Sequence, residues 1–176
     1  MKWTDRDKKK VTELAYKLVK EISRKGFKVR RLQRIEFTET VSQHGCCVLW
    51  EGRNVWQLRL SWYRLQDGWE AIKNTILHEI CHAIAPFKEG HGPVWKKIAK
   101  QIGDLYHIKI TRTSPHTDKV KAMTSKYLVK CDKCGKSWGY TRKTKLVKAV
   151  EKDHAKDWTC KCGSHHFSLV SVKGGK

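Results

Sequence analysis

Residues 74–98 read NTILHEICHAIAPFKEGHGPVWKKI, an amphipathic run that carries three histidines and one glutamate. From about Asp67 to Ala85 the apolar period is helical. Ile72, Ile76, Ile80 and Ala83 fall within one sector of about 80° when each residue advances 100°. His78 and His82 are four apart, so they stand one turn above each other on the opposite side, with Glu79 between them. Two imidazoles at that spacing can hold one tetrahedral zinc ion, each nitrogen at about 2.0–2.1 Å. Glu79 then lies near the ion without binding it, where a carboxylate can take a proton from water and return it to a leaving amine. The helix breaks at Pro86, and EGHGP brings His91 back nine residues after His82, with Gly90 and Gly92 permitting a tight bend. Three protein ligands leave the fourth position open, as catalytic zinc requires and structural zinc does not. The spacing therefore predicts His78, His82 and His91 as metal ligands and Glu79 as general base. Cys81 points to another side of the helix and reads as a small core residue.

Working outward, residues 4–25 predict a helix. Thr4 or Asp5 can cap it, Val11, Leu14, Ala15, Leu18, Val19 and Ile22 form its apolar stripe, and Gly26 can end it. RIEFTET, 34–40, reads as a strand. CCVLWEGRNVWQLRLSW, 46–62, reads as a hairpin turning around Gly52 to Asn54. Its second arm sets Trp56, Leu58, Leu60 and Trp62 on one face and Gln57, Arg59 and Ser61 on the other. Of the adjacent Cys46 and Cys47, one is expected buried and one exposed. A further helix is predicted from Pro93, with Trp95, Ile98, Ala99 and Ile102 facing inward and Gly103 as its stop. Residues 107–126 show little apolar pattern and read as a connector.

HEICHAIAPFKEGHGPVWKKIAKQIG, from His78 to Gly103, resembles the signature of the SprT-like zinc metalloprotease family. That family includes Spartan, a DNA-dependent protease acting on DNA–protein crosslinks. Its pattern of HExxH, then GHG after a variable insertion, then an aromatic residue falls on His78, Glu79, His82, Gly90, His91, Gly92 and Trp95. The resemblance implies an α+β, zincin-like domain: N-terminal helix, small antiparallel sheet, HExxH helix and second helix, followed by a zinc ribbon. The domains expected are 1–106 catalytic, 107–126 connector and 127–176 ribbon.

In the last of these, Cys131 and Cys134 form a CxxC followed by Gly135, and Cys160 and Cys162 a CxC followed by Gly163. Four thiolates would close a structural zinc site and supply folding energy that a small apolar core cannot. The CxC departs from the commoner CxxC, which leaves open whether His165 or His166 replaces one thiolate. Two zinc ions are thus expected, one catalytic and one structural.

The formal net charge is +21, from 38 Lys and Arg against 17 Asp and Glu. Residues 107–176 carry 17 of those cations and 5 of the anions, a net of +12. Such an excess points to a polyanion, bound through phosphate without sequence preference. Trp138, Tyr140, Trp158 and Phe167 are interleaved with the cations and can stack on unpaired bases; beside its knuckle, Trp158 is expected to pack instead. The nucleic-acid contacts expected are Lys136, Trp138, Tyr140, Arg142, Lys143 and Lys145. No apolar run is long enough for a membrane span, and the N-terminus lacks the apolar core of a secretory signal, so an intracellular protein with reduced or metal-bound cysteines is expected.

Together these readings predict a monomeric zinc endopeptidase that acts on DNA-bound or DNA-crosslinked proteins. Its substrate would add as a strand alongside residues 55–62. Two other readings stay open: a non-catalytic nucleic-acid-binding zinc protein, and a zinc hydrolase of a non-protein amide.

Overall fold

Thr4 starts the first helix, α1 (Asp5–Arg24), by accepting the Asp7 N–H on its hydroxyl, and Asp5 and Asp7 complement the positive end of the helix dipole. Val11, Ala15, Leu18 and Ile22 are buried along the predicted stripe. Gly26, at φ +93°, turns the chain out of the helix. The computed structural model describes residues 3–41, 43–113, 117, 120 and 123–171. The chain divides into two compact units, 1–115 and 116–176.

In the first unit, β1 (Arg31–Thr38), β2 (Gly45–Leu49) and β3 (Val55–Ser61) form a sheet in the order β1-β3-β2. β2 pairs antiparallel with β3, as the hairpin pattern predicts, but β1 pairs parallel, with Ile35 opposite Leu58 and Phe37 opposite Leu60. The sheet is therefore mixed, not antiparallel. Side-chain alternation has the same period in both kinds of ladder, so it carries no information on strand direction. Because β3 is central, Gln57 and Ser61 are buried along with Trp56, Leu58 and Leu60, and only Arg59 is exposed.

Trp62 does not continue the strand. The Ser61 hydroxyl accepts the Tyr63 N–H and caps a short helix, α2 (Trp62–Gln66). Gly68, at φ +102°, separates α2 from α3 (Trp69–Ile84), and α4 (Pro93–Tyr106) follows. Ile72, Ile76, Leu77 and Ile80 of α3 meet the α1 stripe, the inner face of the sheet, and Trp95, Ile98 and Ile102 of α4 in one core.

Gly103 is not the stop of α4. The helix runs to Tyr106, and His107 caps it in the left-handed region at φ 53°. A glycine stands at 103 because the Ile108 carbonyl folds back over it, 2.5 Å from where a Cβ would lie. Ile108 and Ile110 pack against the core, so this part of the expected connector is attached to the first unit. Connector residues 114–116, 118, 119, 121 and 122 lie outside the described residues.

The second unit holds β4 (Tyr127–Cys131), β5 (Ser137–Tyr140) and β6 (Phe167–Ser171) as an antiparallel sheet in the order β5-β4-β6. A short helix, α5 (Lys145–Glu151), is capped by Thr144, and a 3₁₀ turn spans Ala155–Asp157. The chain is thus an α+β protein with two small sheets.

Candidate metal centre and nucleic-acid surface

α3 carries His78, Glu79 and His82, and the way it ends places His91. Ala85 leaves the helix in extended backbone ahead of Pro86. The Arg30 guanidinium donates to the carbonyls of Ala83 and Ala85, at 2.8 Å each. Lys88 (φ 67°) and Gly90 (φ 58°) then bend the chain back. Gly92 has no room for a Cβ, which would lie 2.3 Å from Glu89 Oε1. That carboxylate accepts the Val94 N–H at 2.9 Å and caps α4, so the bend bearing His91 is tied to the helix that follows it.

The three imidazoles converge through the same nitrogen. Their Nε2 atoms are 3.3 Å apart for His78 and His82, 3.1 Å for His82 and His91, and 3.0 Å for His78 and His91. Zinc bound tetrahedrally to nitrogen at about 2.05 Å would set such atoms about 3.3 Å apart. His78 Nδ1 lies 3.0 Å from the Thr111 carbonyl, to which it donates, so the Nε2 lone pair faces the other two rings. Lone pairs gathered this closely repel unless a cation shares them, and the donor set fits zinc. Burial pushes His78 and His82 down to about 4 and also lowers His91, which keeps the rings in the neutral form a metal needs. Trp95, 2% exposed, packs against all three rings, with centroids 4.6–5.4 Å away.

Glu79 is 5% exposed. Burial pushes its carboxyl up to about 8, against a hydrogen bond from the Cys47 backbone. That bond depends on β2 lying close to α3, and Gly45 allows it: a Cβ there would come within 2.6 Å of Thr75 Cγ2 and 3.1 Å of Glu79 Oε1. Cys46 and Cys47 are both half-buried, which corrects the expected split, because the edge strand lies against a helix on part of its surface only.

A cleft of about 340 Å³ opens beside Glu79, His78 and His91. Gln43, His44 and Gly45 line it on the β2 side, and Thr111, Arg112 and Thr113 on another. Arg64 also reaches it, held by Asp67 at 3.1 Å and by the Thr75 hydroxyl at 2.9 Å. None of these lining residues was legible as a motif. Gly45 alone left a signal, an isolated glycine at the start of a strand.

In the second unit the Sγ atoms of Cys131, Cys134, Cys160 and Cys162 all lie within 4.8 Å of one another. The pairs Cys131–Cys162 and Cys134–Cys160 are 3.6 and 3.7 Å apart, against about 3.8 Å for a tetrahedral zinc–thiolate site. Gly135 (φ 72°) and Gly163 (φ 82°) make the turns beneath the two pairs. The Cys134 backbone amide draws the Cys131 thiol below its ordinary range, toward the thiolate that binds metal. His165 and His166 are exposed and outside the cluster, with His165 Nδ1 turned to the Lys156 carbonyl at 2.9 Å. Four sulfurs therefore make the set that fits zinc.

Lys136, Trp138 and Tyr140 line one concavity of about 240 Å³, together with Trp158 and Phe167. Trp158 is half-buried on its wall. Lys136 Nζ lies 5.8 Å over the Trp138 ring, and Trp138 meets Phe167 edge-on at 6.1 Å. Arg142 and Lys145 are exposed nearby in sequence, whereas Lys143 is engaged by Glu151 at 2.8 Å. Among the described residues no helix is long and apolar enough to cross a membrane.

No curated protein gives a significant match to the chain. The family model described as SprT-like matches residues 15–117, more than half the chain and the whole of the histidine cluster with its supporting elements. On that match, the chain belongs to the SprT-like family.

Proposed function

We propose that the chain is a zinc-dependent endopeptidase with a zincin-like catalytic unit and a zinc-ribbon second unit, acting on proteins bound or crosslinked to DNA. The SprT-like family is generally associated with zinc metallopeptidase chemistry. The observation that carries the reading is the convergence of three Nε2 atoms beside a buried carboxyl on the wall of an open cleft.

His78, His82 and His91 would hold zinc, which supplies Lewis acidity toward water and a peptide carbonyl. Glu79 accepts the proton of the water whose oxygen joins the carbonyl carbon. It passes that proton to the amine nitrogen as the C–N bond breaks. Burial suits it to this exchange, because raising the carboxyl from its ordinary range makes its carboxylate form a stronger proton acceptor. The substrate strand cannot add along 55–62: β3 is hydrogen-bonded on both edges. The strand that borders the cleft is β2, and its outer edge is the place for an extended peptide. Backbone pairing there reads little sequence, which suits a protease positioned by DNA. Lys136, Trp138 and Tyr140, in a region of net charge +12, support contacts to phosphate and to unpaired bases.

Glu79→Gln keeps the shape of the side chain but cannot accept the proton. It is expected to retain zinc and DNA binding while cleavage of a DNA-bound protein falls by about 10²-fold or more. Unchanged cleavage would exclude Glu79 as the base. A parent protein that cuts no DNA-bound protein under any DNA condition would leave the binding-protein reading, and one that hydrolyses only small amides would leave the other hydrolase.

A further inference from the structure

A second concavity in the first unit, about 750 Å³, lies between α4 and the returning segment 107–112. Its apolar lining is Trp95, Ala99, Ile108 and Ile110, with Gly103 beneath the Ile108 carbonyl. Lys96, Lys100, Lys109 and Arg112 stand exposed around it. The one carboxylate on this rim, Asp104, is held by Lys100 at 2.7 Å. Among the described residues Lys96, Lys109 and Arg112 form no ion pair.

We propose that this groove docks an extended segment of a partner protein that carries aliphatic side chains interspersed with Asp or Glu. An apolar floor inside a cationic rim is complementary to that chemistry on both counts. The chain's own residues 116–176 are a poor occupant, because their net charge of +10 has the same sign as the rim. Nucleic acid fits less well. Phosphates need no apolar floor, and Trp95, at 2% exposure, offers no ring face on which a base could stack. The proposal does not depend on peptidase activity. The groove does share Trp95, Thr111 and Arg112 with the surroundings of the histidines.

Fluorescence anisotropy with the full zinc-loaded chain tests it. The probes are a labelled peptide alternating Leu and Glu, the same peptide with Ser for Leu, the same with Lys for Glu, and an oligothymidylate of equal charge. The Leu/Glu peptide is expected to bind saturably and the other two peptides not. The double reversal Lys96→Glu with Lys109→Glu should weaken it about tenfold at moderate salt, while Lys148→Glu on α5 leaves it unchanged. Both lysines are exposed, and thermal melts check that the variant folds. Hydrogen exchange gives a second readout, with protection of 107–112 by the Leu/Glu peptide expected. No saturable binding, equal binding of the Ser-for-Leu peptide, or no effect of the double reversal would overturn the proposal. Loss of oligothymidylate affinity in that variant as large as the loss of peptide affinity would overturn it in favour of a phosphate-reading surface.

Discussion

His78 uses its two nitrogens for separate purposes: Nδ1 donates to the Thr111 carbonyl, and Nε2 faces His82 and His91. The pairing of His78 with His82 was legible because i, i+4 spacing on a helix leaves two imidazoles few other arrangements. The Thr111 support was not, since a backbone carbonyl 33 residues away leaves no mark in the side-chain pattern. Burial of these groups sets a pH dependence. His78 and His82 are lowered from 6.5 to about 4, so below 6.5 the unfolded chain takes up protons that the folded chain refuses, and stability is lost as pH falls. Glu79 is raised from 4.5 to about 8, so its contribution is full at low pH and is lost as pH rises through that window. Two imidazoles outweigh one carboxyl below 6.5, and of these three groups only the carboxyl changes above it. The first unit of zinc-free protein should therefore be most stable near pH 6.5, as urea titrations followed by tryptophan fluorescence across the pH range would show. A maximum displaced to alkaline pH would mean that Glu79 is not held protonated.

α3 illustrates what an element's sequence declares and what it withholds. Its apolar sector and its break at Pro86 are evident from periodicity, because each follows from backbone geometry within the helix. What secures its C-terminal end is Arg30, which reaches the Ala83 and Ala85 carbonyls across more than fifty residues of chain. Arg30→Met should lower stability by about 2 kcal/mol in denaturant titrations, since two charge-assisted hydrogen bonds at the negative end of the helix dipole are lost. It should also weaken zinc at the histidine site, because the bend to His91 begins at Ala85, and leave the cysteine site untouched. Equal zinc affinity at the histidine site would reduce Arg30 to a stabilising cap. Gly103 makes the complementary point. Local rules read it as a helix stop, but the Ile108 carbonyl approaching it is what excludes a side chain.

For the whole molecule, the two clusters predict two independent zinc ions. Native mass spectrometry should find two in the parent, one fewer in His91→Ala and one fewer in Cys131→Ala, and only one in the parent would break the catalytic assignment. Loss of the second site should unfold the second unit. Its buried apolar side chains among the described residues are little more than Val120, Val129, Val147 and Ala155, too few to replace the folding energy of a metal. By itself the sequence determined the three long helices, the hairpin, the spacing of the candidate metal ligands and the basic balance, because each is written in spacing or composition a few residues at a time. Only the tertiary structure decided that β1 runs parallel to β3, that β2 holds the edge beside Glu79, that residues 107–113 return to support His78, and which side chains line the cleft. Those features arise where distant segments meet through backbone groups and packing, and backbone groups are the same at every residue, so no pattern of side chains along the chain announces them.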